Sequence, residues 1–253
     1  MLKYIISSFF LCSIFIGIAQ NKSIDLQPKD TTTYNQPYGL RVGLDLSRII
    51  QSSLKDNYKG LELVADYRLT NKLYIAAELG TEENTRQEDL YNFTSSGNYI
   101  KLGVDINNYE NWYGMNNAIH MGGRIAHSRF NQTINNYQIF NSNRYWTPDD
   151  FTVGSTDARE ISDLSATWLE FVFGIKTELF ANIFLGGSVR LGYLVNNSIN
   201  EKKDNFKNIW IPGFNKVTEG SKFGIGYNYS ISYLIPLYKK VKKKKKIKEI
   251  TTP

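Results

Sequence analysis

An alternation of apolar with polar or small residues recurs eight times between residues 38 and 235, and it is the feature that most constrains the fold. Apolar side chains at every second position indicate a β-strand with one apolar face. The last run is the clearest, because Phe223, Ile225 and Tyr227 alternate with Gly224 and Gly226. We predict eight strands of about ten residues or more, which is long for soluble strands and suits a tilted span of a bilayer.

The links between these runs alternate in length. Short or modest links lie near residues 70–72, 107–116 and 180–182, and longer ones near 81–97, 129–164 and 196–219; the first link, near 50–57, is only moderately long. Short turns at one rim and long loops at the other are typical of outer-membrane barrels. The predicted fold is therefore all-β, an eight-stranded antiparallel up-and-down transmembrane β-barrel with both termini at the short-turn, periplasmic rim.

The two faces of the predicted strands differ in composition. The minor face combines many glycines with isolated charges, which suits a narrow lumen that side chains just fill. Buried charges require partners, so this face predicts a lumenal ion-pair network, with a gated polar pathway as the alternative. The residues of this network are Arg41, Asp45, Asp66, Arg68, Glu78, Lys101, Asp105, Arg124, Glu170, Lys176 and Arg190. A secreted lipocalin-like carrier, apolar inside and polar outside, is the competing interpretation.

Aromatic residues lie near several predicted strand ends, where a membrane protein places its interfacial girdle. The predicted girdle consists of Tyr38, Tyr67, Trp112, Tyr113, Trp168, Tyr193, Tyr227 and Tyr238.

The first nineteen residues predict a secretory signal peptide. A cationic start at Lys3 precedes an apolar run, and Gly17-Ile18-Ala19 has the small-x-small form of a cleavage site. Residues 20–36 form a polar lead-in, residues 37–238 the barrel and residues 239–253 a tail. The single cysteine, Cys12, lies inside the signal segment, which excludes a disulfide framework or a cysteine zinc site in the exported chain.

The net charge of +6 is concentrated in the tail. Residues 239–253 hold eight lysines and one glutamate, a charge of +7, which leaves about −1 for the rest of the chain. A periplasmic tail has no access to cytoplasmic nucleic acid, so we predict no nucleic-acid partner. The tail is instead a solvated tether, or it contacts anionic headgroups or an acidic periplasmic partner.

The long link 129–164 is the best candidate for a binding site, because links of this length are usually functional or disordered. Exposed aromatic rings beside amides suit an envelope protein partner or a glycan, and self-packing over the barrel mouth is the alternative. The candidate residues are Tyr137, Phe140, Tyr145, Trp146 and Phe151, joined by Trp210 from the link 196–219.

Catalysis has weaker support. A hydrolase- or acyltransferase-like rim enzyme would use His127 and Ser128 with Asp149 or Asp163, but their spacing does not require a triad. The acids between residues 149 and 163 do not match a calcium loop. We therefore predict a protein that is not an enzyme, with no cofactor and no metal.

The chain resembles the small outer-membrane β-barrel proteins of Bacteroidota. The resemblance rests on the signal end Ile16-Gly17-Ile18-Ala19-Gln20, the bias toward Tyr and Asn, and the closing strand at 224–237, and it covers residues 37–238. It implies an outer-membrane location in contact with lipid, and a structural or partner-binding role in an envelope assembly. Members of that group typically end at an aromatic residue in the last strand, whereas fifteen residues follow Tyr238 here.

Overall fold

The computed structural model describes residues 33–109, 116–137, 139–140, 151–152, 158–198, 209–217 and 221–243. The predicted signal peptide, most of the polar lead-in and the tail after residue 243 lie outside the described residues. The chain divides into one compact unit of residues 35–242 and a second of residues 1–34 with 243–253. The barrel belongs to the first unit, and the described residues of the second are strand ends.

Eight strands form one closed ring, which confirms the predicted all-β antiparallel arrangement. The ring order is β1-β12-β9-β8-β5-β4-β3-β2, so barrel strands that follow one another along the chain are also neighbours in space. The barrel strands are β1 (Thr33–Asp45), β2 (Tyr58–Arg68), β3 (Leu73–Gln87), β4 (Tyr91–Asn107), β5 (Ala118–Tyr137), β8 (Arg159–Phe180), β9 (Ile183–Asn197) and β12 (Phe223–Lys243). Two hairpin-like pairs add β6 (Ile139–Phe140) with β7 (Phe151–Thr152), and β10 (Ile209–Ile211) with β11 (Asn215–Val217).

A helix replaces the end predicted for the first strand. β1 ends at Asp45, and α1 (Leu46–Leu54) occupies most of the predicted link 50–57. The Asp45 carboxylate accepts a hydrogen bond from the Ser47 amide (2.8 Å), which is the geometry of a helix N-cap. Leu44 and Leu46 fit a strand by parity, but Leu46, Ile50 and Leu54 repeat every four residues, and this helical period is the one that the chain follows.

The predicted links 81–97 and 129–164 are wrong in their extent. β3 continues to Gln87 and β4 begins at Tyr91, while β5 continues to Tyr137 and β8 begins at Arg159. The strands continue while the composition of their outer face changes from apolar to polar. In β4, for example, Ile106 to Ile100 are followed outward by Asn98, Ser96 and Thr94 on the same face. The apolar alternation that predicts strands therefore stops before the strands do.

The outward side chains form an apolar belt around all eight strands, with exposed fractions of about 40–70%. Its members include Val42, Leu61, Leu63, Ile75, Leu79, Ile100, Leu102, Val104, Ile119, Met121, Ile125, Leu169, Phe171, Phe173, Leu185, Val189, Leu191, Ile225, Tyr229, Ile231 and Ile235. The charged and small residues of the alternating positions face the interior. In the described part of the chain, no helix has both the length and the apolar character needed to span a membrane.

Candidate functional site

All eleven residues of the predicted charge network face the barrel interior. Ten are buried and Lys176 is half-buried. Their positions follow from strand parity, because inward side chains alternate with belt residues along each strand.

Two carboxylates of the lumen, Asp66 and Glu78, are each shared by two cations. Asp66 lies 2.7 Å from Arg41 Nε and 2.6 Å from Lys176 Nζ. Glu78 lies 2.8 Å from Arg190 and 3.5 Å from Arg124, which also contacts Asp105 at 2.8 Å. Bridging by shared carboxylates links strands on opposite sides of the ring, because Asp66 of β2 meets Lys176 of β8.

Arg68 joins the interior differently from the other predicted members. Its guanidinium donates to Gln36 Oε1 (2.9 Å) and to the Thr70 carbonyl (3.2 Å), and lies 4.4 Å from the centre of the Tyr38 ring. Tyr38, predicted for the girdle, is buried and stacks on Tyr238, with its hydroxyl bonded to Asn71. These contacts close the end of the barrel that carries the short turn at residues 70–72. β12 continues to Lys243, so the first five residues of the predicted tail belong to a strand.

Among the described residues, three buried charged side chains lie outside the predicted network: Arg48, Glu62 and Glu82. Glu62 accepts from Tyr99 (2.5 Å), Arg190 (3.3 Å) and Asn228. Glu62 lies on the same face of β2 as Asp66, and Glu82 lies on the same face of β3 as Glu78. The alternation along each strand therefore predicts an inward position for both. Arg48 projects from α1, and nothing in a strand pattern predicts it.

A hairpin formed by β10 and β11 fills the half of the lumen opposite the short turns, beside the far ends of β3, β4 and β5. Glu82 accepts hydrogen bonds from Trp210 Nε1 (3.0 Å), the Gly213 amide (2.7 Å) and Arg48 (3.0 Å). Lys101 donates to the Gly213 carbonyl (3.1 Å) and to Glu170 (2.9 Å). Gly213 has φ +82 and lies against the Tyr99 ring, where a side chain would have no room. We call residues 209–217 the plug hairpin.

Apolar packing holds the plug hairpin against the wall. Ile211 and Phe214 are buried in a cluster with Tyr99, Phe130 and Trp168. Trp168 is the largest fully buried side chain: it packs edge-on against Phe214 at 5.5 Å and donates to Glu170 (2.7 Å). The girdle assignment of Trp168 is therefore wrong, since its parity with Glu170 directs it into the lumen.

The predicted binding residues divide into four groups. Trp210 is only 7% exposed and packs with Phe93 and Ile134, so its assignment to an exposed binding surface is wrong. Tyr137 is half-buried against the same cluster, at the outer end of β5. Phe140 and Phe151 are paired across β6 and β7, while Tyr145 and Trp146 lie outside the described residues.

The proposed catalytic pair does not converge. His127 and Ser128 lie on opposite faces of β5: Ser128 Oγ donates inward to the Asn98 carbonyl (3.2 Å), whereas His127 Nδ1 lies 3.0 Å from Thr167 Oγ1. Asp149 lies outside the described residues, and Asp163 is exposed at a bulge. Among the residues that the structure describes, no group of three or more His, Cys, Asp or Glu side chains could hold a metal ion.

The lumen is filled at two levels, by ion pairs toward the short turns and by the plug hairpin toward the opposite end. A cavity of about 30 Å³ lies among the ion pairs, lined by residues that include Asp66, His120, Lys176 and Arg190. This volume suits about one or two water molecules.

Comparison with known proteins gives a family and a similar solved structure. The family model described as a domain of unknown function (DUF6048) matches residues 1–240. Among the solved structures, the chain is similar to the crystal structure of Acinetobacter baumannii CarO, with 10% sequence identity and a TM-score of 0.36, covering 79% of this chain and 98% of that one. No curated protein matches the chain.

Proposed function

The chain belongs to DUF6048, a family described as a domain of unknown function, and we propose that it is a plugged outer-membrane β-barrel with a non-catalytic role. In this proposal the barrel anchors the protein in lipid, and its outer end binds a partner in an envelope assembly.

The observation that carries the proposal is the orientation of the two faces. Apolar side chains point outward on all eight strands, while seven carboxylates face the interior: Asp45, Glu62, Asp66, Glu78, Glu82, Asp105 and Glu170. Monomeric soluble proteins rarely expose contiguous apolar patches larger than a few hundred Å², whereas a closed barrel satisfies its backbone internally and suits lipid. A lipocalin-like carrier needs the opposite orientation, so this observation argues against it.

The filled lumen favours anchoring over permeation. Before a solute could pass, two parts of the lumen would have to move. One is the set of carboxylates that each bridge two cations, and the other is the plug hairpin, which contacts strands β3, β4 and β8. Eight-stranded barrels have an interior just wide enough for side chains, which supports the same conclusion.

The outer ends of β3, β4, β5 and β8 support a binding role. They extend past the apolar belt with polar outward residues, among them Glu83, Ser96 and Asn131. In this proposal the polar extension places the ends of β5 and β8 outside the membrane. The half-buried rings of Tyr91 and Tyr137 lie at its outer end.

Two experiments test the two parts of this proposal. Alkaline washing of cell envelopes should leave the protein in the membrane, and unheated samples should migrate differently from boiled ones on gels; release by the wash would contradict the location. Crosslinking and pull-down should then capture a partner with the natural chain and lose it when residues 141–150 are replaced by a Gly-Ser linker. An unchanged partner would contradict the role of the outer segment.

A further inference from the structure

The last barrel strand, β12, continues past the end of its neighbour β9. The pairing of these two strands ends with Tyr233 opposite Ile183, close to the turn that joins β8 and β9. β12 itself ends at Lys243. Within the described part of the chain, the backbone of residues 236–242 therefore has no strand on its β9 side, and we call that side the open edge.

Strand β1 accompanies β12 on its other side. Gly39 of β1 lies against Ile235 of β12, and Gly43 lies against Ile231. Residue numbers fall along β1 as they rise along β12, so the two strands are antiparallel. Residues 35–38 of β1 therefore lie beside the continuation of β12, and the two segments form a ribbon that extends beyond the short turns.

The β1 edge of this ribbon is closed to further strands. The Arg68 guanidinium donates to the Pro37 carbonyl (3.3 Å) and to Gln36 Oε1 (2.9 Å). Pro37 also has no amide hydrogen to offer. Proline and charged side chains are means by which natural proteins prevent a strand from pairing at an exposed edge.

The open edge of β12 keeps its hydrogen-bonding groups after the first position. The Leu234 amide donates to the Asn182 carbonyl on the β9 side (2.8 Å). Backbone groups alternate in direction along an antiparallel strand, so those of residues 236, 238 and 240 face the same side. Pro236 lacks the first of these amides. Tyr238 and Lys240 each offer an amide and a carbonyl to an incoming strand.

Ring contacts hold the open edge in its extended conformation. Tyr238 stacks on buried Tyr38, with the ring centres 5.4 Å apart. Lys240 Nζ lies 4.8 Å from the centre of the Tyr38 ring. A strand that is already ordered loses less conformational entropy when a partner pairs with it.

The open edge is also positively charged. Lys239 and Lys240 are exposed, and successive residues of a strand lie on opposite faces. Opposite charges directly across a strand pair stabilise it, and like charges destabilise it. A second copy of this chain would bring the same lysines to the edge and be repelled. A strand with acidic residues at successive positions would match the lysines on both faces.

We propose that the open edge of β12 binds an extended acidic segment of a periplasmic protein by strand addition. The main chain of that segment pairs with Tyr238 and Lys240, and its carboxylates lie across from Lys239 and Lys240. In strand addition the main-chain hydrogen bonds provide affinity and the side chains provide specificity. This interface lies at the opposite end of the barrel from the outer segment, and it rests on the proposed location only for the compartment of the partner.

A peptide-binding measurement tests strand addition. The purified chain in neutral detergent micelles is titrated with a fluorescent nonapeptide of glutamates and valines, and the anisotropy is followed. A second peptide has the same side chains, but alternate backbone nitrogens are methylated, so it keeps its charge and cannot pair with the edge. We expect the methylated peptide to bind at least about tenfold more weakly, because the main-chain hydrogen bonds are lost.

Two substitutions at Lys240 separate the backbone from the charge. Lys240→Gln removes the charge and keeps the amide hydrogen, whereas Lys240→Pro removes both. Because that amide faces the open edge, proline there removes no bond to β1. We expect Lys240→Pro to bind the unmethylated peptide at least about tenfold more weakly than Lys240→Gln. Lys222→Gln, which removes an exposed lysine next to the opposite end of β12, should leave binding unchanged.

The contrary results are specific. Equal binding of the two peptides, or an equal loss in both Lys240 variants, would show that charge alone is recognised and would overturn strand addition. Failure of the unmethylated peptide to bind would also overturn it, and binding of the chain to vesicles of anionic phospholipid would then assign the lysines to headgroups. None of these results bears on the membrane location or the outer segment, which the alkaline wash and the replacement of residues 141–150 test separately.

Discussion

The Trp210 indole donates a hydrogen bond to the Glu82 carboxylate, 3.0 Å away, and thereby ties the plug hairpin to the barrel wall. The same carboxylate accepts from the Gly213 amide and from Arg48 of α1. One side chain of β3 therefore holds both the plug hairpin and helix α1.

Replacement of Glu82 should weaken both attachments. Glu82→Gln removes the charge opposite buried Arg48 and one acceptor of the hairpin, and we expect a loss of about 3 kcal/mol in the free energy of unfolding. Urea unfolding followed by tryptophan fluorescence measures this loss. Glu83→Gln is the matched control: Glu83 faces outward in an exposed pair with Lys59, and such a pair contributes at most about 1 kcal/mol. Equal effects of the two substitutions would contradict the role of Glu82.

The Lys101–Glu170 pair should show strong non-additivity. Lys101 Nζ lies 2.9 Å from Glu170, and both side chains are buried. Lys101→Met leaves a buried carboxylate without its cation, at a cost of about 3–5 kcal/mol, whereas adding Glu170→Gln removes the unpaired charge. We expect the double variant to be more stable than Lys101→Met alone in the same urea titration. A double variant that is less stable by the sum of the two single effects would show that the pair is not coupled.

Plug packing depends on the absence of a side chain at Gly192. A Cβ at Gly192 would lie 2.6 Å from the Phe214 ring, whereas one at Gly187 would lie 3.9 Å from its nearest neighbour, Tyr229. Gly192→Val should displace the plug hairpin and make it sensitive to limited proteolysis, while Gly187→Val on the same strand should not. If the hairpin resists proteolysis equally in both variants, the packing of Phe214 against Gly192 does not hold the hairpin in place.

A charge introduced into the belt should oppose membrane insertion. In the proposed membrane location, Leu102→Arg places a cation on the lipid face of β4, where it costs about 2–4 kcal/mol at mid-membrane depth. Ser96→Arg lies on the same face of the same strand, six residues outward and past the belt. Assembly into vesicles, measured by heat-modifiable migration, should fall for Leu102→Arg and stay normal for Ser96→Arg. Equal assembly of both would place the belt outside the bilayer.

Much of this arrangement was predictable, because parity assigns each strand residue to one face. The eight strands, the ring and the inward position of residues such as Arg41 and Glu170 all follow from alternation. The same rule places Trp168 and Glu62 inside. The aromatic ring of Trp168 favours the girdle assignment over its parity, and Glu62 is absent from the predicted network although its parity with Asp66 places it there.

Other features depend on contacts that a strand pattern does not encode. The outer ends of β3 and β5 carry polar residues on their outward face, so the apolar alternation disappears while the backbone pairing continues. The plug hairpin has a local signal in Ile209-Trp210-Ile211 followed by Pro212-Gly213. That signal predicts a turn, but its position inside the lumen is set by Glu82 and Lys101, which are distant in sequence.

Spin-label accessibility along β4 tests the central claim, that the apolar belt faces lipid around a filled lumen, most directly. Single cysteines at each position from 100 to 106, in a Cys12→Ala background, are spin-labelled and reconstituted in vesicles. We predict high accessibility to oxygen and low accessibility to an aqueous nickel reagent at Ile100, Leu102, Val104 and Ile106, with oxygen accessibility low at the inward positions between them. High nickel accessibility at those four outward positions would contradict the account.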